Sequence, residues 1–282
     1  MRTPVTAEQK SFWDEQGYVV VPGLFGREEC EQIRDHFMEI RKSPTPMDDV
    51  GIEIGGEDPL KAFPRIIHPH RWDELSMRWM LDPRLREVMT GLLGEEPIAA
   101  QTMFYFKPPG ARGQALHQDQ KYLRARPGTC VAAWLAIDRC DEENGCLQVV
   151  PGTQDWPMVC PEGSDINESF THDQVPLPPG YTPVPVIMEP GDVLFFNGSI
   201  VHGSFANRSS DRFRRSLIGH YLTADVTEVS QFYVPSYRFD GTPLYLDASP
   251  HGGACGTWVE RDGGLELEFN DDHQPDPAVG PH

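Results

Sequence analysis

The sequence predicts a mainly β protein with flanking α-helices, its strands folded as a sandwich, jelly roll or barrel. Three observations carry this. Short apolar or alternating runs recur at 97–106, 131–138, 146–150, 184–188, 193–196 and 215–222, each bounded by turn residues. The 26 Gly and 27 Pro are scattered as punctuation and form no repeat. Helical periodicity is concentrated before residue 95.

The elements follow in order. Thr6 with Gln9 three positions on reads as a capping box, and Gly17 as the stop of a short helix. "YVVV" (18–21) is a buried strand. A helix over 28–41 places Cys30, Ile33, Phe37 and Ile40 on one face. "SPTPMDDVGIEIGGEDP" (43–59) is a loop by its Pro, Gly and Asp content, long enough to be a binding loop or lid. A further helix covers 83–93 and stops at Gly94. The strands then begin. The Pro-rich, acidic insert 151–183 is expected as an ordered loop over one end of the sheets, and the tail "NDDHQPDPAVGPH" as disordered. The layout is a single domain over 1–282: a helical N-terminal layer (1–95), a β core (96–225) and a C-terminal extension (226–282) with a flexible tail.

The 282 residues suffice to bury a substantial core. A formal charge of −19 repels phosphate backbones and anionic lipid, which argues against nucleic-acid or membrane-surface partners. The charge is uneven. Residues 260–276 carry seven acidic side chains and one basic, Arg261. Between 107 and 126 the balance reverses, with Lys107, Arg112, Lys121, Arg124 and Arg126 against Asp119. That stretch reads either as a solvated basic loop or as a cationic mouth for an anionic ligand. The six cysteines, Cys30, Cys130, Cys140, Cys146, Cys160 and Cys255, have no CxxC spacing. The N-terminus shows no signal-peptide core, and no apolar run approaches the ~20 residues of a membrane span. A cytoplasmic protein with free thiols is expected.

The chemistry starts at "ALHQDQKY" (115–122). Side chains two apart on a strand share a face, so His117 and Asp119 can aim at one point with Gln118 turned away. An imidazole beside a carboxylate supplies two members of a facial triad for Fe(II). HxD alone decides little, and a third ligand must come from another strand. In "EPGDVLFFNGSIVHGSFANRSSDRFRRSLIGHY" (189–221) an apolar strand leads to His202, which sets an imidazole at a sheet mouth. His68 and His70 flank Pro69 and read as structural. His172 lies in the insert, and His251, His273 and His282 come late in flexible-looking stretches. His220 is either a core histidine or a group behind the ligands.

Here the chain resembles the phytanoyl-CoA dioxygenase family of Fe(II)/2-oxoglutarate-dependent oxygenases. The segments "FWDEQGYVVVPGLF", "FYFKPPG", "LHQD", "AAWLAID", "ENGCLQVVPGT", "EPGDVLFFNGSIVHGSFAN" and "RRSLIGHY" match in content, order and spacing. The resemblance implies a double-stranded β-helix (jelly-roll) core and an iron site of His117, Asp119 and His202. It also implies an arginine after the distal histidine that grips the far carboxylate of 2-oxoglutarate, because a guanidinium fork matches a carboxylate. "FRRSLIGH" aligns Arg214 with that role, with Arg215 as the competitor. Strand parity then sets Arg214, Ser216, Ile218 and His220 on one face. On "QTMFYF", Gln101, Met103 and Tyr105 form the set expected to face the pocket. Trp134 lines it too, unless it and Tyr105 serve core packing alone. Gln101, Tyr105, Trp134 and Ser216 are therefore expected, with Arg214, to bind the cofactor.

Two points qualify the match. Family members commonly carry His after "PGS", where this chain has Gln154 in "PGTQ". Related halogenases replace the carboxylate ligand by a small residue; the presence of Asp119 favours hydroxylation. The expectation is a dioxygenase that hydroxylates an unactivated C–H of a small organic substrate, anionic if the basic stretch is its mouth. Its cofactors would be Fe(II) and 2-oxoglutarate and its co-substrate O2, in a monomer or weak homo-oligomer. The rivals are a cupin-like metal hydrolase or isomerase that ignores 2-oxoglutarate, and a non-catalytic binding module.

Overall fold

Thr6 and Gln9 exchange hydrogen bonds of 3.1 and 2.9 Å, so α1 (Ala7–Gln16) starts at a capping box, and it ends at Gly17 with φ 79°. The computed structural model describes residues 5–42, 59–249, 254–261 and 263–269. Almost all of the 43–59 loop and the tail from 270 onward lie outside them. β1 (Tyr18–Val21) follows, then α2 (Arg27–Ile40), which buries Cys30, Ile33 and Phe37. Beyond β2 (Ile66–Ile67) come α3 (Glu74–Met80) and α4 (Pro83–Leu93). Sequence periodicity did not suggest α3. It is only seven residues long, and Asp73 starts it by accepting from Ser76 N at 2.8 Å. α4 has the expected bounds, with Pro83 in its first turn and Gly94 at φ 82°.

The remaining chain alternates strands and loops: β3 (Ile98–Tyr105), β4 (Gln114–His117), the short α5 (Gln120–Leu123), β5 (Cys130–Ala136) and β6 (Leu147–Val149). The insert carries β7 (Glu162–Gly163) and β8 (Asp173–Gln174). β9 (Val184–Val186), β10 (Val193–Asn197), β11 (His202–Ser204) and β12 (Ser216–Leu222) complete the core. The extension holds β13 (Glu228–Val229), β14 (Ser236–Tyr237), β15 (Pro243–Leu244), β16 (Asp247–Ala248) and a hairpin of β17 (Gly256–Arg261) and β18 (Gly264–Phe269).

Two sheets face each other. The larger runs β1-β10-β5-β12-β3-β14-β15 with β2 also on β3; the smaller runs β4-β11-β6-β9. This is the jelly-roll architecture of a double-stranded β-helix. Period-two alternation divides each central strand between two layers. On β5, Val131, Ala133 and Leu135 pack on the helices, while Ala132, Trp134 and Ala136 face the smaller sheet. Phe37 of α2 stacks on Phe104 of β3 at a ring distance of 4.0 Å, both fully buried. Truncating either to Ala would cost about 3–5 kcal/mol.

The outer face of the smaller sheet is covered as well. Leu116, Val150 and Val201 lie under Val159 and Val175 of the insert, with Trp156 and Trp258 packed alongside. There Cys160 and Cys255 form a disulfide that ties the insert to the β17–β18 hairpin. This corrects the expectation of free thiols throughout. The partners are 95 residues apart, and folding brings them to the Val159–Gly256 bridge. Cys30, Cys130, Cys140 and Cys146 are free and buried. Among the described residues no helix is long and apolar enough to cross a membrane.

Candidate active site

β4 ends at His117, and its antiparallel partner β11 begins at His202; the two residues are directly opposite in the register. Asp119 stands past the end of β4 with φ −61° and ψ −30°, at the start of α5. Strand parity is therefore not what turns it inward. The chain breaks from strand to helix between the two residues, and the carboxylate still reaches the same point. Gln118 is turned away, bonded to Ser199 O at 2.9 Å and Pro157 O at 3.2 Å, and accepting from Val159 N.

One ligand atom from each of His117, Asp119 and His202 lies within 4.8 Å of the other two. Nε2 of His117 and Nε2 of His202 are 3.4 and 3.5 Å from Asp119 Oδ1. Ligands ~2.1 Å from one ion at near right angles stand roughly 3 Å apart, so the spacing suits a single metal. Each imidazole Nδ1 faces its own backbone, 2.8 Å from Ala115 O and 3.1 Å from Ile200 O. A carbonyl only accepts, so Nδ1 carries the proton and Nε2 presents its lone pair to the centre. Burial pushes His202 down to about 4, against the pull of Asp119. Burial alone would raise the Asp119 carboxyl; His202 and His220 hold it well below the usual range. The donor set turns two imidazole Nε2 atoms and one carboxylate oxygen to one point, a combination that suits Fe(II).

The same small cavity, of about 30 Å³, is lined by Met103, Tyr105, Trp134, Ile218 and Arg214 on the larger sheet's side and by Gln114, Leu147 and Ser204 on the other. Arg214 is 2% exposed. It donates to Gly145 O (3.0 Å) and Ser216 Oγ (3.1 Å) and lies 5.2 Å over the Trp134 ring. Among the described residues no carboxylate pairs with it. Arg215 differs: it grips Asp138 through Nε (2.7 Å) and Nη2 (2.8 Å). The guanidinium open to an added carboxylate is therefore that of Arg214.

Other expected contacts fall elsewhere. Gln101 does not line the cavity; its Oε1 is 2.9 Å from His220 Nδ1, and His220 Nε2 is 3.0 Å from Asp119 Oδ2. Parity chose the right face of β3, but depth along the strand leaves Gln101 behind the site. Ser216 acts on Arg214 rather than on the cavity. Sequence reading missed Ser204 and Gln114. It also missed the true position of Lys107, which is buried with Nζ bonded to Ser204 Oγ (2.8 Å) and to Phe205 O. The signal for Ser204 was present, two residues after His202 on a strand.

The basic stretch does not form a cationic mouth. Lys107 is buried, Arg112 donates to Ile166 O and Ser169 O, Lys121 pairs with Asp173 at 2.5 Å, and Arg124 is buried while Arg126 is exposed. The loop from β3 to β5 sends neighbours in sequence to different partners. The larger hollow beside the cavity, which shares Gln114 and Ser204 with it, is lined by Glu142, Glu143, Asp165 and Glu168 against Arg208. Its sign is the opposite of the one expected. Gln154 also lies away from the chemistry, with Nε2 donating to Asp14 O and Glu15 O at the end of α1.

The sequence profile of phytanoyl-CoA dioxygenase (PhyH) matches residues 13–216. The chain belongs to the phytanoyl-CoA dioxygenase family. Its curated relatives include the peroxisomal phytanoyl-CoA dioxygenase of Rattus norvegicus, 30% identical over 80% of this chain and 71% of that protein. A probable phytanoyl-CoA dioxygenase of Caenorhabditis elegans is 29% identical over 79% and 77%. Among solved structures, the α-ketoglutarate-dependent carbocyclase SnoK superposes with TM-score 0.63, 24% identity, 79% of this chain and 86% of that one. EvdO2 of Micromonospora carbonacea var. aurantiaca, complexed with 2-oxoglutarate, gives 0.63, 20%, 78% and 91%. At these identities the structural likeness establishes the fold. As a phytanoyl-CoA dioxygenase family member, the chain is an Fe(II)- and 2-oxoglutarate-dependent oxygenase.

Proposed function

We propose that the chain hydroxylates an unactivated C–H bond of a small organic molecule, with iron held by His117, Asp119 and His202. One observation carries the reading: a buried arginine without a carboxylate partner among the described residues, Arg214, lines the same cavity as three convergent candidate metal ligands. In this reading Arg214 receives the far carboxylate of 2-oxoglutarate, with the Ser204 hydroxyl, itself held by Lys107, on the opposite wall. Tyr105 and Trp134 flank that end of the cavity. Once bound, Fe(II) and 2-oxoglutarate supply the O2-dependent oxidation that breaks the C–H bond, with succinate and CO2 as co-products. The protein's own part is to orient and to exclude water. Met103, Leu147, Phe196 and Ile218 give the cavity an apolar lining, which strengthens every polar contact inside it.

The chain is taken to work as a single cytoplasmic domain, with O2 as co-substrate and as a monomer or weak homo-oligomer. The buried free thiols agree with a reducing compartment, whereas the Cys160–Cys255 pair is the feature that pulls against it. An anionic substrate is no longer part of the reading, because the basic stretch disperses. A second outcome of the same C–H cleavage is kept in view, because structures of this fold include the carbocyclase SnoK and the epimerase SnoN. Product mass separates them: hydroxylation adds one oxygen atom, ring closure removes two hydrogens and epimerisation changes nothing. Substrate-stimulated succinate release is the test of the main reading. It is expected to vanish in Asp119→Ala and His202→Ala, and its survival in both overturns the proposal.

A further inference from the structure

The iron ligand set contains an asymmetry that the three ligands do not explain. Asp119 offers two oxygens, and it is Oδ1 that stands 3.4 and 3.5 Å from the Nε2 atoms of the two ligand imidazoles. The backbone does not enforce this. Asp119 lies past the end of β4, and a carboxylate at that point is free to turn about its last bond and offer either oxygen or both.

His220 meets the other oxygen. It is 1% exposed and sits on β12, a strand with neighbours on both sides, β3 and β5. Its Nε2 is 3.0 Å from Asp119 Oδ2, and since an ionised carboxylate only accepts, the imidazole N–H donates. Nδ1 is 2.9 Å from the end of the fully buried Gln101 side chain, directly opposite His220 in the β3–β12 register. With Nε2–H donating, Nδ1 of the neutral ring accepts, so the amide is assigned with its NH2, rather than its oxygen, toward the ring. The register of this strand pair shifts between His220 and Tyr221. Such irregularities re-aim side chains next to active sites.

We infer that His220, steadied by Gln101, is a positioning residue that engages Oδ2 of Asp119 and so presents Oδ1 alone to the metal. It links a ligand at the edge of the smaller sheet to the middle of the larger one. The inference rests on the iron reading of the triad. Hydrogen-bond partners behind metal ligands orient them, and their loss weakens metal binding about 10–100-fold.

Cobalt(II) titration of the purified metal-free chain tests this without turnover, followed by its visible ligand-field spectrum and calorimetry. His220→Leu keeps bulk and removes the donor; it is expected to weaken Co(II) binding about 10–100-fold and to alter the spectrum. His220→Gln returns an N–H near the Nε2 position and is expected to recover most of the affinity and the wild-type spectrum, which a space-filling role does not predict. Gln101→Leu should fall between. If His220→Leu does not fold, His220→Gln and Gln101→Leu decide. Wild-type Co(II) affinity and spectrum in Gln101→Leu, or in a folded His220→Leu, overturn the inference while leaving the iron reading intact. So does a folded His220→Gln that binds as poorly as removal of the donor would require. A wild-type chain that binds no Co(II) overturns both.

Discussion

The protein buries two groups of histidines that differ in what surrounds them. His117, His202 and His220 converge on one carboxylate at the edge of a cavity. His68 and His70 lie at the edge of β3 with ring centroids 5.6 Å apart, against Tyr233 and Tyr237. Thr102 Oγ1 meets His70 Nδ1 at 2.9 Å, whereas both ring nitrogens of His68 and Nε2 of His70 have no hydrogen-bond partner among the described residues. Among the described residues no acidic side chain pairs with either ring. Burial alone does not make an imidazole a ligand. A carboxylate that fixes the charge balance, and space for a guest, separate the first group from the second.

The harshest way to break this comparison is to remove its carboxylate. Asp119→Ala should reduce Co(II) or Fe(II) affinity by more than about a hundredfold, beyond the usual cost of losing an outer partner. Calorimetry on the metal-free chain measures it. If the two histidines alone retained wild-type affinity, the contrast drawn between the two groups would be wrong.

The arginines sharpen the same logic. Arg214 and Arg215 are adjacent, but Asp138 occupies the fork of Arg215. Arg214→Ala should weaken 2-oxoglutarate binding about a hundredfold, as expected when one partner of a buried charge pair is removed. Arg215→Ala should leave that affinity near wild type and instead lower stability by roughly 1–3 kcal/mol, because it strands a carboxylate that is 19% exposed. Calorimetric titration with 2-oxoglutarate and urea unfolding read the two effects separately. Equal losses of 2-oxoglutarate affinity in both variants would remove the distinction.

These residues show what the sequence made legible. Long periodic segments such as α4 and β3, and the order of the core strands, were readable because burial imposes a period on each. His117, Asp119 and His202 stood out through motif and order. Arg214 could be set apart from Arg215 only weakly, because the deciding partner, Asp138, is 77 residues away. Parity put Gln101 on the correct face of β3 but could not show that it stops at His220. The Cys160–Cys255 bridge and the scatter of the basic stretch depend on how the insert and hairpin close over the smaller sheet, and no local pattern encodes that closure.

The second histidine group makes its own prediction. Burial, followed by the charge of Arg71, pushes His68 down to about 2, and the same causes push His70 down to about 3. Both are neutral in the folded chain and regain a pKa near 6.5 on unfolding. The unfolded state therefore binds more protons below that value, and stability present above pH 6.5 is lost as the pH falls toward the folded values. Each histidine contributes a slope of about 1.4 kcal/mol per pH unit, or about 2 kcal/mol at pH 5. His202 has the same sign in the metal-free chain, so the variants must isolate the pair. His68→Asn, which tolerates the left-handed φ of 54°, and His70→Asn should each flatten the pH dependence of urea unfolding between pH 7 and 5. Unchanged slopes would mean that these rings already hold a proton or a partner in the folded state.

The smallest effect belongs to Gln154, which stands where the family resemblance led to an expected His. If that position touched substrate, changing it would alter turnover. The structure instead turns its amide to Asp14 O and Glu15 O, at 3.2 and 3.4 Å, where α1 ends and its last carbonyls need donors. Gln154→Ala should therefore cost about 1 kcal/mol or less of stability, the net worth of such a bond, and leave 2-oxoglutarate affinity unchanged. The side chain is also pressed against Gly17, whose φ of 79° ends α1, so the loss should be felt at the start of β1. β1 pairs with β10, whose Phe196 lines the cavity. Faster amide exchange confined to the α1–β1 junction would locate the effect at the helix end. A fall in 2-oxoglutarate affinity with no change in exchange there would place Gln154 in the active site after all.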